Sequence, residues 1–342
     1  MPPWFTEELA PAALEDKRLN ERFEEILEAL GKSPHASIPA AFGGRAKLKA
    51  AYRFCDNDKV TPQKILQPHH HATTKRCQQQ KIVLCAQESS ALDFTRPQQQ
   101  VEGAGPLACS RRLGAFLHLN EAFTEEGTPL GAIDAKLWAR EEPDPDAPKL
   151  SQVEKEKKRL ALPIEEKESF RWLEGIRAVQ QLARDCPETT CISLSDSEGD
   201  IYELFAEPKP MDNFHWIVRA CHNRVVLNKQ GAPVSALRDS LLEQAVLFTN
   251  EITVRSRPSL IPKDERPRSK TRSGRRATVE VRAALVTLKS PTTKRQAIRA
   301  VTVHAVWVRE SEPPTGEVPI EWILLTTLPI STVEKVATII RY

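Results

Sequence analysis

Two acidic residues stand where short apolar runs end: Glu88 after "KIVLCAQ" and Asp196 after "CISLS". Each run reads as a strand, which places each carboxylate at a strand's carboxyl end. If the two strands are neighbours in one sheet, the carboxylates converge at one edge. Carboxylates held a few ångströms apart make an anionic, oxygen-rich pocket suited to Mg²⁺. Two such ions can clamp the attacking and leaving oxygens of a phosphodiester. The same residue types have a plainer use, because an acid just past a strand also caps the next helix or forms a turn. Glu198 and Asp200, in "SDSEGDIYELF", could assist Asp196, although capping of the following helix is the favoured role for Asp200. Asp93, five residues past the strand-end position of Glu88, is an alternative first acid.

The elements that must position these acids can be read from periodicity. "AALEDKRLNERFEEILEALGK" places Leu14, Leu19, Phe23, Ile26, Leu27 and Leu30 on one stripe of a charged helix. "RAKLKAAYRFCDN" reads as a second helix bearing Arg45, Lys47, Lys49 and Arg53, and "TPQKILQPHHHATTKRC" as a third, with Thr61 as N-cap and Pro62 in its first turn. Residues 1–75 therefore form a helical module. A β pattern follows, running through "KIVLCAQESSALDFT" and two strands joined at "EEGTP". "EPDPDAPKLSQVEKEKKR" reads as a polar loop. A long helix carrying Trp172, Ile176, Val179 and Leu182 comes next, then the strand before Asp196, a helix at "DIYELFAE" and the strand "FHWIVRACHN". The β-β-β-α-β-α-β order of 76–225 predicts an α/β core, a mixed sheet with helices on its faces. From 226 to 330 the stretches alternate and are rich in Val, Ile and Thr, which predicts a mostly β subdomain. Residues 331–342 read as the start of a helix, with Ser331 as N-cap and Glu334 completing a capping box.

Composition limits the partners. The 342 residues carry a net charge of +3, but Glu251 to Ala300 holds 14 Lys/Arg against 4 Asp/Glu, leaving −7 on the rest of the chain. Such asymmetry points to a polyanion, and a charge run also serves as a plain solvated loop. The seven cysteines are odd in number and include no CxxC, which argues against zinc and disulfides and fits a reducing cytosol. No apolar stretch reaches the roughly 18–20 residues of a membrane span, and "MPPWFTEELAP" has no signal-peptide pattern. His69 to His71 point in different directions on a helix, which disfavours a metal site, and His118 falls on an apolar strand as a core residue.

The stretch from "AALEDKRLNERF" to "KILQPH" resembles the amino-terminal DNA-binding domain of bacterial insertion-sequence transposases of the IS-four/Tn-five type. The resemblance continues through "VLCAQESSALDFT", "GTPLGAIDAKLWARE", "SDSEGDIYELF", "WIVRACHNR" and "EWILLTTLPI", nearly the whole chain in order. It implies helices that bind double-stranded DNA at transposon terminal repeats. It also implies an RNase H-like core with a β insertion, and two Asp and one Glu that hold Mg²⁺ or Mn²⁺ for strand nicking and transfer. Asp196 matches the second Asp, in a motif where Ser197 replaces the usual Arg. The first Asp falls on Glu88, one methylene longer, and metal-assisted in-line chemistry is sensitive to a displacement of that size. The third acid belongs to a Y-R-x-W-x-I-E-like helix, and "IIRY" stands where that motif begins; the family's dimerisation region is also expected beyond it. The resemblance therefore implies a DNA-binding protein, truncated and catalytically impaired on its own; the alternative is a non-catalytic regulator or competitor at transposon ends. Arg45, Lys47, Lys49, Tyr52 and Arg53 fall in the end-binding helices, with Tyr52 and Phe54 equally able to serve the core. Arg272, Arg275 and Arg276, in "RPRSKTRSGRR", could track the DNA backbone.

Overall fold

The computed structural model describes residues 4–10, 14–96, 101–107, 112–142, 151–256, 272–291 and 299–342. Its amino-terminal part is a helical unit of α1 (Trp4–Leu9), α2 (Lys17–Lys32), α3 (Ile38–Phe42), α4 (Arg45–Cys55) and α5 (Pro62–Cys77). The Asp16 carboxylate caps α2 by accepting from the Arg18 amide, and the Thr61 hydroxyl caps α5 by accepting from the Lys64 amide. Leu9, Leu14, Phe23 and Phe54 form the unit's core, with Phe23 stacked on Phe54 at 5.7 Å. Phe54 thus takes the core role open to it.

A clamp fastens this unit to the rest. Arg76 of α5 donates from Nη1 to Glu8 of α1 (2.8 Å) and from Nε to the Leu130 carbonyl (2.6 Å). His69 donates from Nδ1 to Glu8 and accepts the Ala132 amide at Nε2. The three adjacent histidines do separate: His69 serves this clamp, His70 is half-buried and His71 is exposed.

Beyond α5 lies one mixed sheet of twelve strands. Strands β1 (Ile82–Asp93), β2 (Gly105–Pro106), β3 (Leu113–Thr124) and β4 (Pro129–Trp138) come first. After α6 (Gln152–Ala161) and α7 (Phe170–Asp185) follow β5 (Thr190–Ser195), α8 (Tyr202–Ala206) and β6 (Phe214–Ala220). The remaining elements are β7 (Val225–Leu227), β8 (Pro233–Ala236), α9 (Leu237–Leu242), β9 (Phe248–Val254), β10 (Arg275–Leu288), β11 (Val301–Glu310), β12 (Glu321–Thr326) and α10 (Val333–Arg341). β3 pairs antiparallel with β1 and β4, whereas β1–β5 and β5–β6 are parallel. β12 returns antiparallel onto β6 and continues through β11 and β10, so the expected boundary at 225/226 falls inside one continuous sheet.

Strand alternation gives the sheet two apolar faces. Val83, Cys85, Cys191, Trp216 and Val218 pack under α7 and α8, around Trp172, Ile176 and Leu204. Leu84, Ile192, Ile217, Val306 and Val308 pack under α10, which contributes Val336 and Ile339. Three readings are corrected. The polar stretch from 151 is helical: Ser151 and Glu154 form a capping box and start α6. The N-cap of α10 is Thr332, not Ser331, because the Thr332 hydroxyl accepts from the Lys335 amide. Glu88 lies inside β1 and not at its end, since β1 runs on to Asp93 against β3 after its pairing with β5 stops.

Candidate functional site

The last paired residues of the parallel strands β1 and β5 are Gln87 and Ser195. Glu88 and Asp196 are the next residue of each, across a strand spacing of about 4.8 Å. The alternation of β1 runs Ile82, Leu84, Ala86, Glu88 on the α10 face, and that of β5 runs Ile192, Leu194, Asp196 on the same face. Both acids are exposed. Asp196 borders a cleft of 260 Å³ walled by Ala86, Leu194, Ile217, Trp322 and Tyr342.

Each carboxylate is held at one oxygen. Asp196 Oδ1 accepts the Glu198 amide at 2.8 Å, and Glu88 Oε1 accepts the Ser89 amide at 2.8 Å. Among the described residues no partner reaches the second oxygen of either acid. Asp196 thus also does the plainer job of capping the turn Ser197–Gly199. Two hard oxygen donors on one face match the way Mg²⁺ is held, by one or two carboxylates with waters or phosphate completing the shell. Among the described residues the two acids belong to no cluster of three Asp, Glu, His or Cys ligand atoms within 4.8 Å of one another. Glu121 of β3 shares their face, opposite Ala86 and diagonal to Glu88.

The nearby acids have other duties. Asp200 does not cap α8, whose N-cap is Ile201. Its buried carboxylate accepts the Cys221 and His222 amides at 2.7 and 2.8 Å and pairs with Arg224. Asp200, Cys221 and His222 cluster within 4.8 Å, but the Arg224 cation already occupies the carboxylate, so a metal ion there would meet charge repulsion. Asp93 accepts the Thr95 amide at the far end of β1 and lies 3.6 Å from Arg112.

Behind the acids, on the α7 face, runs a buried polar chain. Gln87 donates to Ser193 Oγ (2.8 Å) and accepts from His118 Nε2 (3.2 Å). Ser89 donates to His118 Nδ1 at 2.9 Å. Burial pushes the His118 imidazole down to about 4, with Arg171 adding to the effect, so it stays neutral in the core. Sequence periodicity indicated the burial of His118 but not its hydrogen-bond partners, Gln87 and Ser89, which both come from the neighbouring strand β1.

The basic candidates separate by surroundings. Leu48, Ala51 and Phe54 turn α4 inward. Arg45, Lys49, Tyr52 and Arg53 are exposed and occupy a sector of roughly 100° at 3.6 residues per turn. Tyr52 is 47% exposed. None of the three cations has an ion pair among the described residues. Lys47 lies on roughly the opposite side of the helix, in a groove with Arg22 and Glu25 of α2. Arg275 is occupied: its guanidinium binds Glu310 and Glu317, and these carboxylates hold its charge on more firmly than usual. Arg276 is exposed, and Arg272 donates to the Arg255 carbonyl. Residues 257–271, most of the basic stretch, lie outside the described residues. No described helix is long and apolar enough to cross a membrane.

Residues 1–60, which contain α1 to α4, match the family model described as Transposase DNA-binding. Among solved structures, the chain is similar to the piggyBac transposase of a cryo-EM synaptic complex with hairpin DNA. The identity is 10% and the TM-score 0.32, over 94% of this chain and 57% of that one. The chain thus spans little more than half the length of that transposase, and a likeness at that TM-score establishes no shared fold.

Proposed function

We propose that this chain is a transposase-type protein of the IS-four/Tn-five class that holds double-stranded DNA on the exposed stripe of α4. The observation that carries this reading is the set Arg45, Lys49 and Arg53, without an ion pair among the described residues and with Tyr52 among them, on the unit that matches transposase DNA-binding domains. Cations without protein partners bind phosphates by releasing counterions, so affinity falls steeply with salt. Terminal repeats of a transposon are the expected duplex. The order β4-β3-β1-β5-β6, an antiparallel meander continued by parallel strands, with helices on both faces, supports an RNase H-like core.

Glu88 and Asp196 are the residues that would hold Mg²⁺ or Mn²⁺. Such an ion supplies Lewis-acid polarisation of a phosphoryl oxygen. The chain's own part is orientation: the Glu198 amide fixes one oxygen of Asp196, the Ser89 amide fixes one of Glu88, and both acids keep a face open to solvent. Two observations favour the second reading, a binder that occupies transposon ends without cutting them. The first acid is Glu88, one methylene longer than the Asp of the resembling family. Among the described residues, Glu88 and Asp196 belong to no set of three Asp, Glu, His or Cys ligand atoms lying within 4.8 Å of one another.

The test is fluorescence anisotropy with a duplex carrying the terminal sequence that flanks the coding region, titrated across salt concentrations. Alanine at Arg45, Lys49 or Arg53 should each weaken binding and flatten the log–log salt slope by about 0.9, the value of one phosphate contact. Lys47→Ala should leave the slope unchanged. A salt-independent affinity overturns the reading. The chain incubated with Mg²⁺ or Mn²⁺ should leave the duplex unnicked, and nicking that Asp196→Ala abolishes would restore the enzyme reading over the binder.

A further inference from the structure

One guanidinium reaches the chain segments of both acids. Arg171, in the first turn of α7, donates from Nε to Ser89 Oγ (2.8 Å) and from Nη2 to Glu198 Oε2 (2.7 Å). Its third nitrogen donates to the Glu168 carbonyl at 2.8 Å, anchoring it to the loop before its own helix. The plane lies within 5.6 and 5.7 Å of the Trp138 and Trp172 rings, and the side chain is only 12% exposed. Every nitrogen of the fork is thereby used, in a site where rotamers are restricted by packing.

The residues it holds are those that hold the acids. Ser89 follows Glu88, and its amide donates to the Glu88 carboxylate. Glu198 lies in the turn capped by Asp196, and its amide donates to the Asp196 carboxylate. Past the pair Gln87 and Ser195, β1 and β5 no longer share ladder hydrogen bonds. Beyond that register position, among the described residues, Arg171 is the link that ties the two segments across the gap. Ser89 is also bonded to the buried His118, so the β1 end of the link is rigid. Arg171 sits on the α7 face, while Glu88 and Asp196 alternate onto the α10 face; it acts through the sheet and does not touch what binds in front of it.

We propose that Arg171 is a positioning residue that fixes the separation of Glu88 and Asp196 by bridging Ser89 and Glu198. The proposal rests on the reading of the two acids as ligands of a divalent ion. Lysine keeps the charge but has a single nitrogen, which cannot reproduce the fork.

Hydrogen exchange followed by mass spectrometry, on the metal-free full chain, tests the bridge directly. In Arg171→Lys the amides of 88–90 and of 196–199 should both exchange about tenfold faster, as expected for losing a charge-assisted hydrogen bond, with α2 unchanged. Glu198→Gln should loosen 196–199 alone. Mn²⁺ uptake, read by electron paramagnetic resonance, should weaken by about tenfold in Arg171→Lys, the usual cost of losing an outer partner of a ligand. Exchange that stays at the wild-type rate, or rises in only one segment, overturns the proposal, as does unchanged Mn²⁺ affinity in Arg171→Lys when the wild type binds the ion. If the wild type takes up no Mn²⁺, or Glu88→Gln with Asp196→Asn takes up as much, the reading of the acids as ligands falls, and exchange alone judges the bridge.

Discussion

Nε and Nη2 of Arg275 each stand 2.8 Å from a carboxylate oxygen of Glu310, and Nη1 reaches Glu317. Glu310 is 2% exposed and also accepts the Ile320 amide. Removing Glu310 takes away the bidentate partner of Arg275 and leaves it Glu317 alone; breaking a buried pair costs about 3–5 kcal/mol, and the remaining carboxylate puts this case at the low end. Glu310→Ala should therefore lower the unfolding free energy by about 3 kcal/mol in urea titrations at neutral pH. The hydrogen bond from Arg275 holds the Glu310 carboxyl below its ordinary 4.5 against the opposing effect of burial. A depressed carboxylate stabilises the fold above its unfolded value and loses that contribution as the pH falls through its folded one. The stability gap between wild type and Glu310→Gln should then be full at neutral pH and shrink below 4.5. In the sequence Arg275 was one of a run of like charges, and nothing local distinguished it from Arg276. The partner lies 35 residues on, brought close by the antiparallel register of β10 and β11, Val279 against Glu310. Asp200 and Arg224 were hidden for the same reason.

Gly175 stands in the middle of α7, where glycine costs roughly 1 kcal/mol relative to alanine. A Cβ there would come 2.1 Å from Gln87 Oε1, the acceptor for His118. The glycine lets α7 lie close enough to β1 for the polar chain behind the acids to form. Asn120 uses the same approach, donating to the Gly175 carbonyl at 2.9 Å. Gly175→Ala should destabilise by about 1–3 kcal/mol despite its better helix propensity, because it overpacks a filled core; calorimetry showing a higher melting temperature would contradict this packing. At this scale the sequence was legible where an apolar stripe marked a helix, as in α2 and α7, or where a cap and a first-turn proline did, as in α5. It was illegible where the period was short or the face polar. Within α6, Val153 and Leu160 are exposed, so no apolar stripe announced the helix and its capping box was the one available signal. The outer half of β1, "ESSALD", is mostly exposed, with Ser89 reaching His118, and its polar composition read as the strand's end.

The continuity of the sheet decides how the molecule should come apart. Composition suggested a division near 225, with an α/β core before it and a β subdomain after. The returning strand β12 lies between β6 on one side and β11 on the other, so both parts share it. Leu325, fully buried in β12, packs in the same core as Trp172 and Val218 before the division and Val303 and Trp307 after it. Truncating such a side chain costs about 2–5 kcal/mol. If the shared strand makes one cooperative unit, Leu325→Ala should lower the opening free energy of Ile192 in β5 and of Val306 in β11 by the same amount, read by native-state hydrogen exchange. The helical unit has its own core of Phe23, Phe54 and Leu14 and meets the sheet through α5, whose Arg76 and His69 bond Leu130 and Ala132 and whose Cys77 enters the main core. Amides of α2 should accordingly keep their protection in the same variant. A fall confined to Val306, with Ile192 unmoved, would show that 226–330 opens on its own and that β12 belongs to that part alone.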